Sequence, residues 1–380
     1  MATLGKPLDG IKIIELSTMI TASLSSMILA SQGADVIKIE PPGIGDLLRH
    51  IGTQKKGVSG VFANCNRGKR SVALDLKTPE GLEAVRALAQ TADILVHNFR
   101  PGVMDRLGLG AKALQAVNPR LIHVSISGFG STGPSAGEPA YDPVIQAQSG
   151  FMSVQGSPQK PEFVRALFSD KITAYTAAQA MSAALYGRER TGKGQALELS
   201  MLESITFFNW PDTMANHTLL ADGVTQQIPI HKVLITVEAS DGTIVPSAAS
   251  DTHWAGLCAA LDSPELQTDP RFDSLPKRSA NWESLCEAIE GRGRHKSTAE
   301  LMHILQDHDV PVAVCSDLDG LLEHPQLTAR GVIAQTDHTH LGPVRTLAPP
   351  ALFDGARGHF THEAPMLGEH TEEVLAEIGS

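Results

Sequence analysis

Apolar and polar positions in the first 130 residues alternate between two periodicities. Short apolar runs, typical of buried strands, fall at residues 11–16, 35–39, 71–74, 94–96 and 121–126. Between them, apolar residues recur at helical spacing over residues 23–32, 79–90, 102–107 and 111–117. Strands that alternate with helices predict a parallel sheet covered on both faces. Ligands of such sheets bind beyond the carboxyl ends of the strands, so we expect the site in the loops at residues 16–23, 40–46, 98–102 and 127–130.

The pattern changes in the second half of the chain. After a loop rich in Gly and Pro, residues 171–190 predict a long helix that stops at Gly192 and precedes a strand at 196–200. From about residue 228 the segments are shorter. Strands are predicted at 232–237 and 243–246, and helices at 252–261, 281–291 and 298–308. A second, smaller α/β unit is expected there.

Composition and charge narrow the function. Hydrophobic residues make up 42% of the 380 positions and charged residues 19%, which favours a globular chain with a large core over a disordered one. The net charge of -11 repels nucleic-acid phosphates and anionic lipid, so neither partner is expected. The cysteines are far apart and lack zinc-ligand spacing. Residues 1–9 have no apolar run of the kind found in signal peptides, and we expect a cytoplasmic protein.

Three short motifs match known signatures by letter only. Residues 128–133 spell GxGxxG and residues 133–137 spell GxSxG, but prolines follow where a dinucleotide site or a nucleophile elbow needs a helix. His338 and His340 lack a third ligand of clear spacing, so solvated surface histidines are expected and no metal site is predicted.

A carboxylate stands at the start of the long helix. Ser169 is a plausible N-cap and Asp170 a first-turn residue, where free N–H groups and the helix dipole favour the ionised carboxylate. By spacing alone this is ordinary capping chemistry. The alternative is that Asp170 is a nucleophile toward an activated acyl group, since carboxylates do form covalent intermediates.

Several segments in order along the chain resemble the family III CoA-transferases, which include formyl-CoA transferase and the carnitine CoA-transferases. The 2-methylacyl-CoA racemases share the fold. The segments are GADVIKIE at 33–40, NRGKRS at 66–71, LDLK at 74–77, NFRPGVMDRLG at 98–108, SGFG at 127–130, YD at 141–142, TGKGQ at 191–195 and LGEHT at 367–371.

The resemblance implies an α/β fold with two domains. A Rossmann-like large domain with a parallel sheet would comprise residues 1–225 and 320–380, and a smaller α/β domain residues 226–319. It also implies an interlocked homodimer. CoA and acyl-CoA would be substrates, with no cofactor bound permanently.

The resemblance places Asp170 at the catalytic aspartate of the family. The implied reaction moves CoA between a donor thioester and an acceptor carboxylic acid through an aspartyl anhydride and an aspartyl-CoA thioester. In the family a Gly-rich loop of the small domain supplies oxyanion donors. Here the corresponding residues 225–231 contain no glycine.

The CoA-binding residues carried over from the family are Leu74 and Lys77 around the adenine, and Asn98, Phe99 and Arg106 along the pantetheine and phosphates. Independently of the family, a cationic set in this acidic chain suits the phosphates of CoA. Its members are Arg67, Lys69, Arg70, Lys77, Arg100 and Arg106.

Two alternatives to a transferase remain. A racemase normally has a His where this chain has Tyr141, so one of its two proton carriers is missing. A silent CoA-binding protein would not need Asp170. The first loop has Thr18 and Ile20 where formyl-CoA transferases have His and Gln. Candidate pocket residues are Ile20, Arg49 and Tyr141, and Arg49 is a candidate to meet the far carboxylate of a dicarboxylic acid such as succinate or a five-carbon dicarboxylate.

Overall fold

A computed structural model describes residues 5–379 of the chain. Contacts between residues group them into two compact units. The first runs up to Phe208 and resumes at Gln326, and the second comprises Asn209–Pro325. The domain limits expected from the resemblance stay a prediction. None of the described helices is long and apolar enough to cross a membrane.

The strands are named in chain order. They are β1 (Lys12–Leu16), β2 (Asp35–Glu40), β3 (Gln54–Lys55), β4 (Val58–Ser59), β5 (Lys69–Ala73), β6 (Ile94–His97), β7 (Ile122–Ser127), β8 (Ala196–Ser200), β9 (Val237–Glu238), β10 (Thr243–Pro246), β11 (Val312–Val314), β12 (Ile333–His338), β13 (Gly342–Leu347), β14 (Leu352–Phe353) and β15 (Ala356–Arg357).

The α-helices are named in the same way, and Leu47–His50 and Ile230–Lys232 are short 3-10 helices. The α-helices are α1 (Thr21–Ala30), α2 (Gly60–Asn66), α3 (Pro79–Thr91), α4 (Val103–Arg106), α5 (Ala111–Val117), α6 (Asp142–Gln148), α7 (Phe151–Gln155), α8 (Phe168–Thr191), α9 (Met201–Thr213), α10 (Ala215–Thr218), α11 (Asp251–Ala260), α12 (Glu265–Thr268), α13 (Leu275–Ala280), α14 (Trp282–Ile289), α15 (Thr298–Asp307), α16 (Leu318–Leu322), α17 (Pro325–Ala329) and α18 (Thr371–Gly379).

The first unit is built on a six-stranded sheet in the order β5, β2, β1, β6, β7, β8. Every pairing in it is parallel, and Ile13 of β1 lies between Val36 of β2 and Ile94 of β6. The predicted parallel α/β sheet is therefore confirmed. Because all six strands run in one direction, the loops after β1, β6 and β7 meet at the same edge.

Alternate residues of the strands pack against different helices. Ile13, Val96 and Val124 belong to one buried cluster, with residues of α1 and α8. Ile14 and Leu95 belong to the other, with residues of α3, α5 and α18. On the first face α8 contributes small side chains, with Ala174 and Ala177 completely buried, so that it packs closely against the sheet and α1. This packing fixes the first turn of α8, which carries Asp170.

The second unit is the smaller α/β unit that the pattern predicts. Its antiparallel sheet has the order β11, β10, β9, and Trp254, Leu257, Leu285, Leu301 and Leu305 form its core with Ile244.

The strand predicted at 232–237 is wrong except at its last residue. The structure has a 3-10 turn at Ile230–Lys232 and a strand only at Val237–Glu238. Ile235 and Val237 are buried in the core, which explains the apolar pattern. Burial alone does not make a strand, because residues 233–236 have no neighbouring strand with which to pair.

Candidate active site

Asp170 lies in the first turn of α8 and is 7% exposed. Its backbone N–H donates to Oδ1 of Asp142 at 3.0 Å. Asp142 is the first residue of α6, is also buried, and accepts a 2.7 Å hydrogen bond at Oδ2 from Nε2 of Gln146. One carboxylate therefore caps the helix that carries the other.

The predicted N-cap role of Ser169 is wrong. The helix begins at Phe168, one residue before Ser169, and its N-cap residue Leu167 makes no side-chain capping hydrogen bond. Oγ of Ser169 is buried and has no hydrogen-bond partner within residues 5–379. The cap comes from Asp142 instead, which is 28 residues away in sequence.

The surroundings of Asp170 favour the protonated carboxyl. Burial first, and the charge of Asp142 second, raise the pKa of Asp170 to about 7. We expected the helix terminus to keep this group ionised, but the loss of solvation and the like charge outweigh that effect. Strongly perturbed carboxylates are typical of catalytic sites.

Asp170 faces a cavity of about 190 Å³ at the carboxyl edge of the sheet. The turn after β1, the loops after β6 and β7, the segment before α6 and the starts of α8 and α9 all contribute to it. The lining residues are Thr18, Met19, Thr21, Asn98, Phe99, Arg100, Pro101, Ile126, Ser127, Gly128, Ala136, Glu138, Pro139, Ala140, Tyr141, Asp170 and Met201. Three of the loops expected to hold the site from sequence line this cavity.

Asn98 holds the turn after β1 in place. Its Oδ1 accepts from the N–H of Thr18 at 3.1 Å, and its Nδ2 donates to the carbonyl oxygen of Thr18 at 2.5 Å. Both ends of the Asn98 amide are therefore engaged with protein backbone. The side chain shapes the cavity wall.

The structure brings Asn98, Phe99 and Tyr141 together with Asp170 in one cavity. Tyr141 is 59% exposed and precedes Asp142 at the start of α6. Leu74 packs at the margin of the core beneath α3, and Lys77 is exposed beside a groove between α3 and α18. Arg106 is exposed on α4. None of these last three lines the cavity of Asp170.

The pocket roles expected of Arg49 and Ile20 do not fit their positions. Arg49 is 1% exposed, and its guanidinium donates to both carboxylate oxygens of Glu40, at 2.7 and 2.6 Å. Its guanidinium carbon also lies 3.7 Å from the ring centroid of Phe62. Ile20 is buried in the apolar cluster around Phe62. Arg49 is thus already paired, and it cannot meet a substrate carboxylate without depriving the buried Glu40 of its ion-pair partner.

The expected cationic set is dispersed by the fold. Lys69 is completely buried and its Nζ lies 2.6 Å from Oε2 of Glu15. Arg70 pairs with Asp35 and with two glutamates of α18. Arg100 is the member of the set that lines the cavity of Asp170. Hydrophobic periodicity does not reveal which charged residues are paired in the interior.

The histidine prediction is wrong for His338. This side chain is 6% exposed, and its Nε2 lies 2.9 Å from the carbonyl oxygen of Ala364. Within residues 5–379 no group of three or more His, Cys, Asp or Glu side chains is arranged to hold a metal ion. The GxGxxG segment at 128–133 is a loop, and the next helix begins only at Asp142, as expected.

A family model described as CoA-transferase family III matches residues 8–371 of the chain. The chain belongs to that family. The resemblance found in its motifs is confirmed, and so is the expectation that it is an enzyme of CoA transfer.

Relatives of this CoA-transferase are themselves named CoA-transferases and match it over most of both chains. It is 35% identical to an acetyl-CoA:oxalate CoA-transferase of Acetobacter aceti, over 87% of this chain and 86% of the relative. It is 33% identical to a succinyl-CoA:mesaconate CoA-transferase of Haloarcula hispanica, over 98% and 96%. It is 29% identical to a succinyl-CoA:glutarate CoA-transferase of Homo sapiens, over 98% and 86%.

Solved structures agree with the fold of this CoA-transferase. A CaiB/BaiF family protein from Brucella suis superposes with a TM-score of 0.83 at 32% identity, covering 98% of this chain and all of the other. A hypothetical protein from Mycobacterium tuberculosis superposes with a TM-score of 0.84 at 29% identity, covering 98% and 99%.

Proposed function

We propose that this CoA-transferase moves CoA from an acyl-CoA donor to a carboxylic acid by direct attack of the Asp170 carboxylate. One observation carries the proposal. Asp170 is nearly buried at the wall of a cavity, with its pKa raised to about 7 by burial and by Asp142. A carboxylate in this environment is ionised in part at neutral pH and sheds little water before it attacks.

The proposed reaction has four steps. The Asp170 carboxylate attacks the thioester carbonyl and expels the CoA thiolate, which leaves an acyl-aspartyl anhydride. The thiolate attacks the aspartyl carbonyl, forms aspartyl-CoA thioester and releases the donor acid as its carboxylate. The acceptor carboxylate then attacks this thioester and expels the thiolate. Finally the thiolate attacks the acceptor carbonyl of the new anhydride, which forms the new acyl-CoA and restores Asp170.

Each step replaces one anionic nucleophile by one anionic leaving group, so no proton is taken up or released. The reactive form of Asp170 is therefore the ionised one. Oδ1 of Asp142 accepts a 3.0 Å hydrogen bond from the backbone N–H of Asp170, and the carboxylate of Asp142 places a negative charge near that of Asp170. That charge repels the free carboxylate of Asp170. The repulsion disappears when Asp170 becomes a neutral anhydride or thioester.

The acceptor is proposed to be a dicarboxylate. The relatives of this chain include CoA-transferases named for oxalate, glutarate, mesaconate and D-citramalate. Arg100 lines the cavity, and because Arg49 is engaged by Glu40, Arg100 is the better partner for the far carboxylate.

For the donor, we propose that Phe99 and Arg106 contact CoA along its pantetheine and phosphates, with Leu74 and Lys77 near the adenine. Asn98 contributes to this path indirectly, because it holds the backbone of Thr18 in the cavity wall. We further propose an interlocked homodimer that acts in the cytoplasm without a resident metal or cofactor.

The test is a transfer assay with succinyl-CoA and acetyl-CoA as donors. Oxalate, mesaconate and glutarate serve as acceptors, with butyrate as the monocarboxylate control. We expect transfer by the wild type and a loss of at least about 10³-fold in Asp170→Asn, which keeps the shape but not the nucleophile. Glu138→Gln, which neutralises another carboxylate of the cavity, is the matched control. Turnover by Asp170→Asn near the wild-type rate contradicts the proposal, and exchange of the α-proton without transfer supports a racemase instead.

A further inference from the structure

Four charged side chains are completely buried beneath the cavity of Asp170. They are Glu15 of β1, Lys38 of β2, Asp46 of the following loop and Lys69 of β5, each 0% exposed. Nζ of Lys38 lies 2.6 Å from Oε1 of Glu15 and 2.8 Å from Oδ2 of Asp46. Nζ of Lys69 lies 2.6 Å from Oε2 of Glu15. We call these four residues the buried ion cluster.

The buried ion cluster is fully paired. Ser17, Ser23 and Ser26 donate to the carboxylate of Glu15, and Lys69 also donates to Oδ1 of Asn66. Burial alone would raise the pKa of Glu15, but the two lysines outweigh it and hold that pKa below its ordinary value. Well-packed apolar side chains often stabilise a fold as well as a buried ion network does. Stability alone therefore does not account for the cluster.

One member of the cluster reaches the cavity wall through the backbone. Oδ1 of Asp46 accepts from the N–H of Met19 at 3.0 Å and from the N–H of Leu48 at 2.9 Å. Met19 lines the cavity of Asp170 and has φ of 67°, a left-handed conformation that residues other than glycine seldom hold. Such a conformation persists only where its surroundings impose it.

The backbone of the turn at Thr18 and Met19 is fixed by hydrogen bonds from two side chains. Asn98 engages the N–H and the carbonyl oxygen of Thr18, and Asp46 engages the N–H of Met19. Lys38 in turn fixes the other oxygen of Asp46, and Glu15 fixes Lys38. The chain of contacts thus runs from the sheet interior to the wall that faces Asp170.

We propose that Asp46 is a positioning residue for CoA transfer, which holds the strained Met19 turn against the cavity of Asp170 with the buried ion cluster as its anchor. Asp46 does not line the cavity and is completely buried, so it acts through Met19 and not on the substrate. The kinetic part of this inference rests on the function proposed above.

The test compares Asp46→Ala with Asp46→Asn in the full-length protein. Alanine removes the acceptor of the Met19 N–H, whereas asparagine keeps an oxygen in that place and turns its amide nitrogen toward Nζ of Lys38. Both variants therefore lose the Lys38 contact, and only alanine also loses the Met19 contact. In Asp46→Ala we expect the Met19 amide to exchange hydrogen at least about tenfold faster, as the loss of one hydrogen bond implies. We expect kcat to fall by about 10- to 100-fold with KM for the acyl-CoA within about twofold, and Asp46→Asn to recover most of both losses.

Asp35→Ala is the matched control, because it removes a carboxylate of an ion pair at the opposite end of β2. It should lower Tm without changing kcat or the exchange of Met19. The inference is overturned if Asp46→Ala lowers only Tm, or if Asp35→Ala loses kcat to the same extent.

If Asp46→Ala does not fold, the Asp46→Asn variant alone tests the inference. Slow Met19 exchange and kcat within about threefold of wild type support the inference, and a large loss of kcat with Met19 still protected contradicts it. If the wild type transfers no CoA, the proposed function fails, and the exchange comparison still tests whether Asp46 positions the turn.

Discussion

Replacing Asp142 by asparagine should move the pH dependence of CoA transfer to lower pH. The substitution removes the negative charge near Asp170 and leaves a carbonyl oxygen for the Asp170 N–H, which Oδ1 now accepts at 3.0 Å. The new amide faces Nε2 of Gln146, where Oδ2 now accepts at 2.7 Å. We therefore expect a stability loss of about 1 kcal/mol from that lost hydrogen bond.

The magnitude follows from the two causes that act on Asp170. Its pKa rises from 3.8 to about 7, with burial the larger cause and Asp142 the smaller. Asp142 therefore accounts for less than half of the rise. We expect the variant to lower the apparent pKa by about one pH unit, equivalent to about 1.4 kcal/mol.

The assay is kcat/KM for the acyl-CoA donor as a function of pH. Because the ionised carboxylate is the nucleophile, the rate should rise with pH, with a midpoint near 7 in the wild type. In Asp142→Asn the midpoint should lie near 6, about one pH unit below that of the wild type. Glu138→Gln removes a carboxylate from the same cavity that is exposed to solvent, and its midpoint should move by less than about 0.3. An unchanged or higher midpoint in Asp142→Asn would refute the reasoning.

Three further predictions concern charged side chains. Because the pKa of Asp170 is raised from 3.8 to about 7, its ionisation costs stability progressively as pH rises from about 4 to about 7, and the full cost is present above that range. Asp170→Asn should then gain up to about 4 kcal/mol at pH 8, with no gain near pH 4, as measured by denaturant unfolding at both pH values. Arg49→Ala should destabilise the fold by about 3–5 kcal/mol, because the buried Glu40 loses its ion-pair partner and keeps only hydrogen bonds from Ser71 and from the N–H of Asp46. Arg100→Ala should leave Tm unchanged and should raise KM at least about tenfold for a dicarboxylate but not for butyrate. Glu15→Gln should lower the free energy of unfolding by about 3–5 kcal/mol, since Lys38 and Lys69 lose their shared partner, and a loss below 1 kcal/mol would contradict that account.

Most of the sheet was predictable because its inner strands are buried on both faces and therefore appear as short apolar runs. The strands β1, β2, β6, β7 and β8 lie within two residues of their predicted limits. The edge strand β5 begins two residues earlier than predicted, at Lys69, because Lys69 and Arg70 are paired with carboxylates inside the fold. A hydrophobicity pattern treats such residues as solvent-exposed.

The site was predictable in part. Asp170 and Tyr141 could be placed by motif, and Asn98 and Phe99 could be placed at a strand end. Asp142 was missed as a partner of Asp170, because their contact depends on how α6 and α8 pack and not on sequence spacing. A carboxylate followed by Pro143 at the start of a helix was the available signal. Arg49 was misplaced for the opposite reason, since nothing in the sequence indicates that Glu40 already engages it.

The most direct test of the central claim is to find where CoA becomes attached. Wild type and Asp170→Ala are incubated with succinyl-CoA, the reaction is trapped with borohydride or hydroxylamine, and peptides are mapped by mass spectrometry. A modification at Asp170 in the wild type, with none in the variant, is the predicted result. Modification of another residue, or an unmodified Asp170 in a wild type that transfers CoA, would contradict it.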